Sequence, residues 1–133
     1  MSQAILYSEP LEGLPKPAFR IRMSGRLEPE RITATFLDAA RRTGTGSLYL
    51  LVDRRGMEPF ANARWYIAFF RQLHEAGVTR YRSVVLDTDV LRPHMGALVQ
   101  EAAIAAGLDA AIRHAWTGEE ALRHLREMMA AGA

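Results

Sequence analysis

Two periods of apolar and polar residues run along this chain, and together they predict an α/β domain. Residues 18–23 alternate apolar side chains with arginines, the period-two pattern of a half-exposed strand. Residues 48–52 instead form a continuous apolar run, which is typical of a central strand covered on both faces. Shorter apolar runs predict three more strands, at residues 4–7, 83–86 and 110–113.

Four helices are predicted between and after these strands, because apolar residues there recur at helical spacing. The second helix is predicted over residues 61–76. The third is predicted over residues 91–106, with Leu98 among the side chains that face the core. Thr117 and Glu120 have the spacing of a capping box, which predicts the start of the fourth helix.

The predicted order of elements is β-β-α-β-α-β-α-β-α, which indicates the α/β class. Strands that alternate with helices pair mostly in parallel, and an opening hairpin makes the sheet mixed. We therefore expect a single mixed sheet of about five strands with helices mainly on one face. The 133 residues suit one domain over residues 1–133.

Composition narrows the classes of function. The chain has no cysteine, which excludes disulfides and thiolate zinc sites and favours a reducing cytoplasm. No apolar run is long enough for a transmembrane segment, and the N-terminus lacks the pattern of a signal peptide. The net charge is +2 and the arginines are scattered, whereas nucleic-acid binding needs a dense basic face. We expect no nucleic-acid partner.

Three aspartates follow predicted strands, where open α/β sheets bind ligands. Asp53, Asp87 and Asp89 could together hold Mg²⁺. Asp87 and Asp89 also match the first motif of haloacid-dehalogenase-type phosphatases, but no lysine follows Asp89 as that chemistry requires. Capping of the third helix by these two aspartates is the favoured interpretation. The four histidines lack zinc-binding spacing.

Large apolar side chains are densest around the second helix. Trp65 and Phe69 are four residues apart, so they lie on one side of the helix, and Tyr66 and Phe70 lie on a neighbouring side. Such a group is either plain core, or an interface or pocket wall. The sequence leaves both interpretations open.

With its elements placed, the chain resembles the SpoIIAA-like (anti-anti-sigma factor-like) branch of the bacterial STAS superfamily along nearly its whole length. The order and spacing of four short segments carry the resemblance. They are Met23-Ser24-Gly25-Arg26-Leu27, Leu50-Leu51-Val52-Asp53, Ser83-Val84-Val85-Leu86 and Thr117-Gly118-Glu119-Glu120-Ala121-Leu122. The resemblance implies a mixed sheet with helices largely on one side and a regulatory role. Relatives of this branch also resemble CRAL-TRIO-type lipid-carrier domains, which implies an apolar ligand.

Family members are switched by phosphorylation of a serine at the start of the second helix, and the matching site here is near residues 61–63. No serine or threonine occurs from Asp53 through Val78, so no phosphorylation site is carried over. Asn62 is predicted to cap the helix instead.

Three functional hypotheses follow. The first is a non-enzymatic regulatory or protein-interaction module whose partner is another protein or a second copy in a homodimer. The second is a carrier of a small apolar or lipid-like ligand, and the third is a phosphate-directed or metal-dependent enzyme. No cofactor, metal ligand or catalytic residue is expected. The residues predicted to bind a partner or ligand are Asp53, Arg54, Arg55, Met57, Phe60, Asn62, Arg64, Trp65 and Phe69.

Overall fold

The computed structural model describes residues 4–58, 62–88 and 93–131, and in these ranges it contains five strands and four helices. The predicted order of elements is confirmed. The strands are β1 (Ile5–Pro10), β2 (Phe19–Ser24), β3 (Ser47–Asp53), β4 (Arg80–Leu86) and β5 (Asp109–Ala115). The helices are α1 (Pro29–Thr43), α2 (Ala63–Glu75), α3 (Pro93–Ala105) and α4 (Gly118–Ala131). None of these helices is both long and apolar enough to cross a membrane.

The strands form one mixed sheet, in which they lie side by side in chain order. β1 pairs antiparallel with β2, and each later pair is parallel. β3 is the middle strand, as the apolar run at residues 48–52 predicts, and all of its residues after Ser47 are buried. Because its two faces are both covered along most of its length, β3 does not show the alternation seen in β2.

Three helices cover one face of the sheet. The connections through α1, α2 and α3 each lead to the next strand in the same direction, so a common right-handed sense places all three on one side. We call this side the helix-covered face. The larger hydrophobic core lies there, with Ile21 and Leu50 from the sheet and Phe36, Phe69 and Phe70 from the helices.

The fourth helix packs on the opposite face, over β3, β4 and β5. Its Leu125 and Met129 contact a second core cluster that contains Tyr49, Leu51 and Val84. In the described structure, α4 does not pack on β1 or β2. The side of these two strands that faces away from α1 is therefore not covered by a helix.

The predicted strand boundaries were too short. β1 was predicted to end at residue 7 but continues to Pro10, because Ser8 and Glu9 pair with Ile21 and Arg20 of β2. β4 and β5 are also longer than the apolar runs that predicted them. The additional residues are polar or lie next to polar ones, and backbone pairing with a neighbouring strand holds them in the sheet.

The predicted orientation of Leu98 was wrong, since 55% of this residue is exposed. α3 instead packs through the small residues Ala102 and Ala103, which are buried. Because α3 is apolar on most sides, its residue pattern does not define which side faces the sheet. Small side chains permit the closest approach to a neighbouring element, and here they set the rotation of the helix.

Candidate functional site

A buried aspartate ends β3 and binds three arginines. Asp53 is 0% exposed. Arg20 Nη2 and Arg55 Nη2 each donate to Asp53 Oδ2 at 2.9 Å, and Arg55 Nε donates to Oδ1 at 3.0 Å. Arg22 Nη1 lies 3.6 Å from Oδ2. We call these four residues the Asp53–arginine cluster. It joins β2 to β3 and to the loop that follows β3.

Two opposing effects set the pKa of Asp53. Burial raises this pKa, because a surrounding of low polarity disfavours the charged form. Hydrogen bonds from Arg55 and Arg20 lower it by more, and the resulting pKa is about 2. The hydrogen bond to Asp53 in turn raises the pKa of Arg55. At neutral pH the carboxylate is therefore ionised and surrounded by cations. This arrangement indicates that Asp53 stabilises the fold by holding β2 and the following loop against β3.

Next to this cluster, the uncovered side of β1 and β2 exposes apolar and charged residues. Arg20 and Arg22 alternate with the core residues of β2, and the antiparallel register places Glu9 and Tyr7 of β1 opposite them on the same side of the sheet. A contact of 3.8 Å between Arg20 Nη1 and Glu9 Oε1 agrees with this placement. Tyr7 and Ile5 are 43% and 36% exposed. We call this surface the open face, and its members are Ile5, Tyr7, Glu9, Arg20 and Arg22.

Arg54 lies on the other side of the sheet from its neighbours Asp53 and Arg55. Its backbone N–H donates to Leu86 O at 2.9 Å, which extends the pairing of β3 with β4. Its half-buried side chain lines two adjacent cavities on the helix-covered face. Its Nε atom is buried and has no hydrogen-bond partner, and no acidic side chain in the described ranges forms an ion pair with it.

The smaller cavity lies among the aromatic side chains of α2. Its volume is about 50 Å³, and Met57, Trp65 and Phe69 line it together with Ser83. Trp65 stacks on Phe69 with ring centroids 5.1 Å apart, and Met57 and Phe69 are both 4% exposed. These predicted binding residues therefore pack mainly as core. The space beside Trp65 is well below the roughly 300 Å³ typical of small-molecule sites.

The larger cavity, of about 350 Å³, lies between α3 and the strands β4 and β5. Its apolar wall includes Val85, Val99 and Ile112. Arg54 lies between the two cavities and lines both. The sequence did not predict this cavity. It follows from the space between α3 and the sheet, which depends on how the helix is rotated.

Three further predicted residues lie near the start of α2. Asn62 caps the helix as predicted, because its Oδ1 accepts a hydrogen bond from Trp65 N at 2.9 Å. Arg64 is exposed on the first turn. Phe60, also predicted to bind, lies outside the described residues.

The structure does not bring the three predicted carboxylates together. Asp53 belongs to the arginine cluster on one side of the sheet. Asp87 lines the larger cavity on the other, and Asp89 lies outside the described residues. Across the described ranges, no group of three histidine or acidic side chains could hold a metal ion.

Comparison with known proteins gives no match. Neither a protein-family model, nor a curated protein, nor a solved structure matches this chain significantly. Function must therefore be inferred from the chain's own residues.

Asp53, Arg54 and Arg55 were predicted as binding residues, whereas Arg20 and Arg22, which pair with Asp53, were not. Arg20 and Arg22 come from a strand more than 30 positions earlier, and the parallel register that places Arg22 opposite Asp53 is a long-range feature. One local signal was available, since two arginines at alternate positions of one strand must lie on the same side. One acidic side chain on the adjacent strand can therefore pair with both of them.

Proposed function

We propose that this protein is a non-enzymatic regulatory module of STAS type that binds another protein, or a second copy of itself, through its open face. The observation that carries the proposal is the exposure of Tyr7 beside Arg22, its paired residue, on a part of the sheet that α4 leaves uncovered. Tyrosine and arginine are enriched among the residues that dominate protein–protein binding. A partner that covered Tyr7 and Ile5 would remove their apolar surface from water.

The Asp53–arginine cluster supports this proposal by holding the arginines in place. Arg20 and Arg22 have side chains that are 30% and 29% exposed, while the carboxylate beneath them is fully buried. Arginines that are already ordered lose less conformational freedom when a partner binds. The same pairing leaves Asp53 without a free oxygen for proton transfer or metal binding, which supports a role in binding.

A phosphorylation switch at the start of α2 is not part of this proposal. The chain has no serine or threonine from Asp53 through Val78. The cap position of α2 is held by Asn62, whose side-chain oxygen is already bonded to the helix. The absence of cysteine supports the reducing cytoplasm as the site of action.

Site-specific photo-crosslinking in cells tests the proposal. The crosslinker p-benzoylphenylalanine would replace Tyr7 in one variant and Arg126, an exposed residue of α4, in the matched control. We expect one discrete adduct from position 7, identified by mass spectrometry as another protein or a second copy, and none from position 126. Loss of the adduct on Ile5→Glu substitution, at an exposed residue of the same face outside the Asp53–arginine cluster, would support the open face as the contact. Equal adducts from both positions, or none from position 7, would reject the proposal.

A further inference from the structure

The larger cavity on the helix-covered face has the size and position of a ligand site. Its volume of about 350 Å³ falls at the small end of the range for small-molecule pockets. It lies at the carboxyl end of β4, where Val85 belongs to the strand and Asp87 follows it, beside β5 and under α3. Open α/β sheets characteristically bind ligands outside the carboxyl ends of their parallel strands.

Small residues on α3 leave this space open. Gly96 and Ala97 form part of the wall. A Cβ atom built on Gly96 would meet no atom of the described residues within 4 Å, so their side chains do not fill the space. The cavity is therefore larger than packing of this helix on the sheet requires.

Arg54 supplies a positive charge that forms no ion pair with an acidic side chain of the described residues. Its Nε is buried without a hydrogen-bond partner, and a buried donor on a charged group is costly when it remains unsatisfied. The other arginine in the wall differs, because Arg113 Nη1 donates to Glu127 Oε2 at 2.8 Å. A ligand oxyanion beside Arg54 would provide the missing acceptor, and a carboxylate matches the two-pronged geometry of a guanidinium.

The rest of the wall limits what else the ligand carries. Val85, Val99 and Ile112 favour an apolar body next to the acid group. Asp87 and Glu101 also line the cavity and would repel a second negative charge. We propose that this cavity binds a small organic acid with one carboxylate, which pairs with Arg54, and an apolar body, which lies against these three aliphatic side chains. The site is separate from the open face, so the proposal stands independently of the function proposed above.

A titration followed by amide ¹H–¹⁵N NMR tests this site with hexanoate and benzoate as probes. We expect saturable shifts centred on Gly96, Val99 and Ile112, with a dissociation constant on the order of 1 mM for molecules of this size. Arg54→Gln should weaken binding about tenfold or more, because it removes a charged hydrogen-bond donor. Arg71→Gln makes the same charge change on the exposed side of α2 and should leave the affinity unchanged.

A second variant tests the cavity without altering Arg54. Gly96→Leu places a side chain in the open space, and we expect it to abolish the shifts while the spectrum stays that of a folded protein. Hexylamine and inorganic phosphate serve as probes that lack either the carboxylate or the apolar body. The proposal is overturned if either binds as well as hexanoate. It is also overturned if Gly96→Leu or Arg54→Gln binds hexanoate with the wild-type affinity, or if the shifts map to the open face.

Discussion

At the end of β3, the arginines on the two sides of the sheet differ in whether they have an acidic partner. On one side, Arg55 donates two side-chain hydrogen bonds to Asp53. On the other, Arg54 lines two cavities, and no acidic side chain among the described residues pairs with it. Two adjacent arginines therefore differ: Arg55 pairs with a carboxylate, and Arg54 has no ion-pair partner among the described residues. They lie on opposite faces because successive residues of an extended chain point in opposite directions.

This difference separates a residue that stabilises the fold from one that is suited to binding. Arg55 satisfies a buried carboxylate, so its removal would leave that group with fewer partners. Buried Nε atoms without a hydrogen-bond partner occur on Arg20 and Arg22 as well as on Arg54. Arg54 differs because it has no ion-pair partner among the described acidic side chains, so its charge is available to a ligand. Residues that bind ligands often carry a local energetic cost in the free protein.

The largest expected loss in the free energy of unfolding comes from substituting Asp53 in the Asp53–arginine cluster. Asp53→Asn keeps the shape of the side chain but removes the charge that holds Arg20, Arg22 and Arg55. Breaking a buried ion pair by removing one partner typically costs about 3–5 kcal/mol, and the partly exposed arginines place this case near 3 kcal/mol. Urea unfolding should show this loss as a lower midpoint with an unchanged slope.

The matched control makes the same substitution in an exposed ion pair. Asp38 lies 3.8 Å from both Arg41 and Arg42 on α1, and nearly half of its side chain is exposed. Asp38→Asn should therefore change the free energy of unfolding by less than about 0.5 kcal/mol. Equal losses in the two variants would contradict a special role for Asp53.

The same substitution at the two adjacent arginines compares the two sides directly. Arg55→Met should cost about 2 kcal/mol, because it removes hydrogen bonds to a charged partner. Arg54→Met replaces an unsatisfied buried donor by an apolar chain of similar length, so we expect no loss, or a gain of up to about 1 kcal/mol. Urea midpoints measure both. If Arg54→Met destabilised as strongly as Arg55→Met, the proposed contrast would be wrong.

Low pH should reduce the free energy of unfolding that the Asp53–arginine cluster contributes. The pKa of Asp53 falls from 3.8 to about 2 on folding, so the folded state favours the ionised form. The resulting stability is present above the unfolded pKa and is lost as pH falls through the folded one. Between about pH 5 and about pH 2, the stability gap between wild type and Asp53→Asn should narrow by about 2 kcal/mol. A gap that stays constant would show that Asp53 does not titrate in this window.

The order of elements was predictable because each depends on residues close together in sequence. The apolar run at residues 48–52, the alternation in β2 and the cap at Asn62 are all local patterns, and the structure confirms them. The start of α4 is also local: Thr117 Oγ1 accepts a hydrogen bond from Glu120 N at 3.2 Å. The return bond of the capping box goes to Trp116 N, one residue before the cap.

The site was less predictable because it depends on register and helix rotation. Arg22 meets Asp53 only because β2 lies beside β3 in one particular register. The larger cavity depends on α3 facing the sheet with its alanines, whereas the apolar residues all round that helix allowed Leu98 to be placed inward. Where a helix lacks a polar side, packing against its neighbours decides its orientation.

The last and smallest pair of predicted changes in stability comes from substituting two glycines by alanine, one beside the larger cavity and one beside the Asp53–arginine cluster. Gly96 lies within α3 and its φ is not positive, and a Cβ atom there meets no atom within 4 Å in the part of the chain that the structure describes. Gly96→Ala should therefore raise the free energy of unfolding by about 0.5–1 kcal/mol, since alanine favours a helix more than glycine does.

Gly56, in the loop beside the Asp53–arginine cluster, should behave in the opposite way. Its φ is 81°, in the left-handed region, and a Cβ atom there would lie 2.9 Å from Ser24 Oγ. Gly56→Ala should cost about 1–2 kcal/mol, because an L side chain is strained in that conformation. Thermal unfolding of the two variants should move the midpoint in opposite directions. A loss in both would mean that the wall of the larger cavity is already as tightly packed as the loop, and the space assigned to a ligand would not exist.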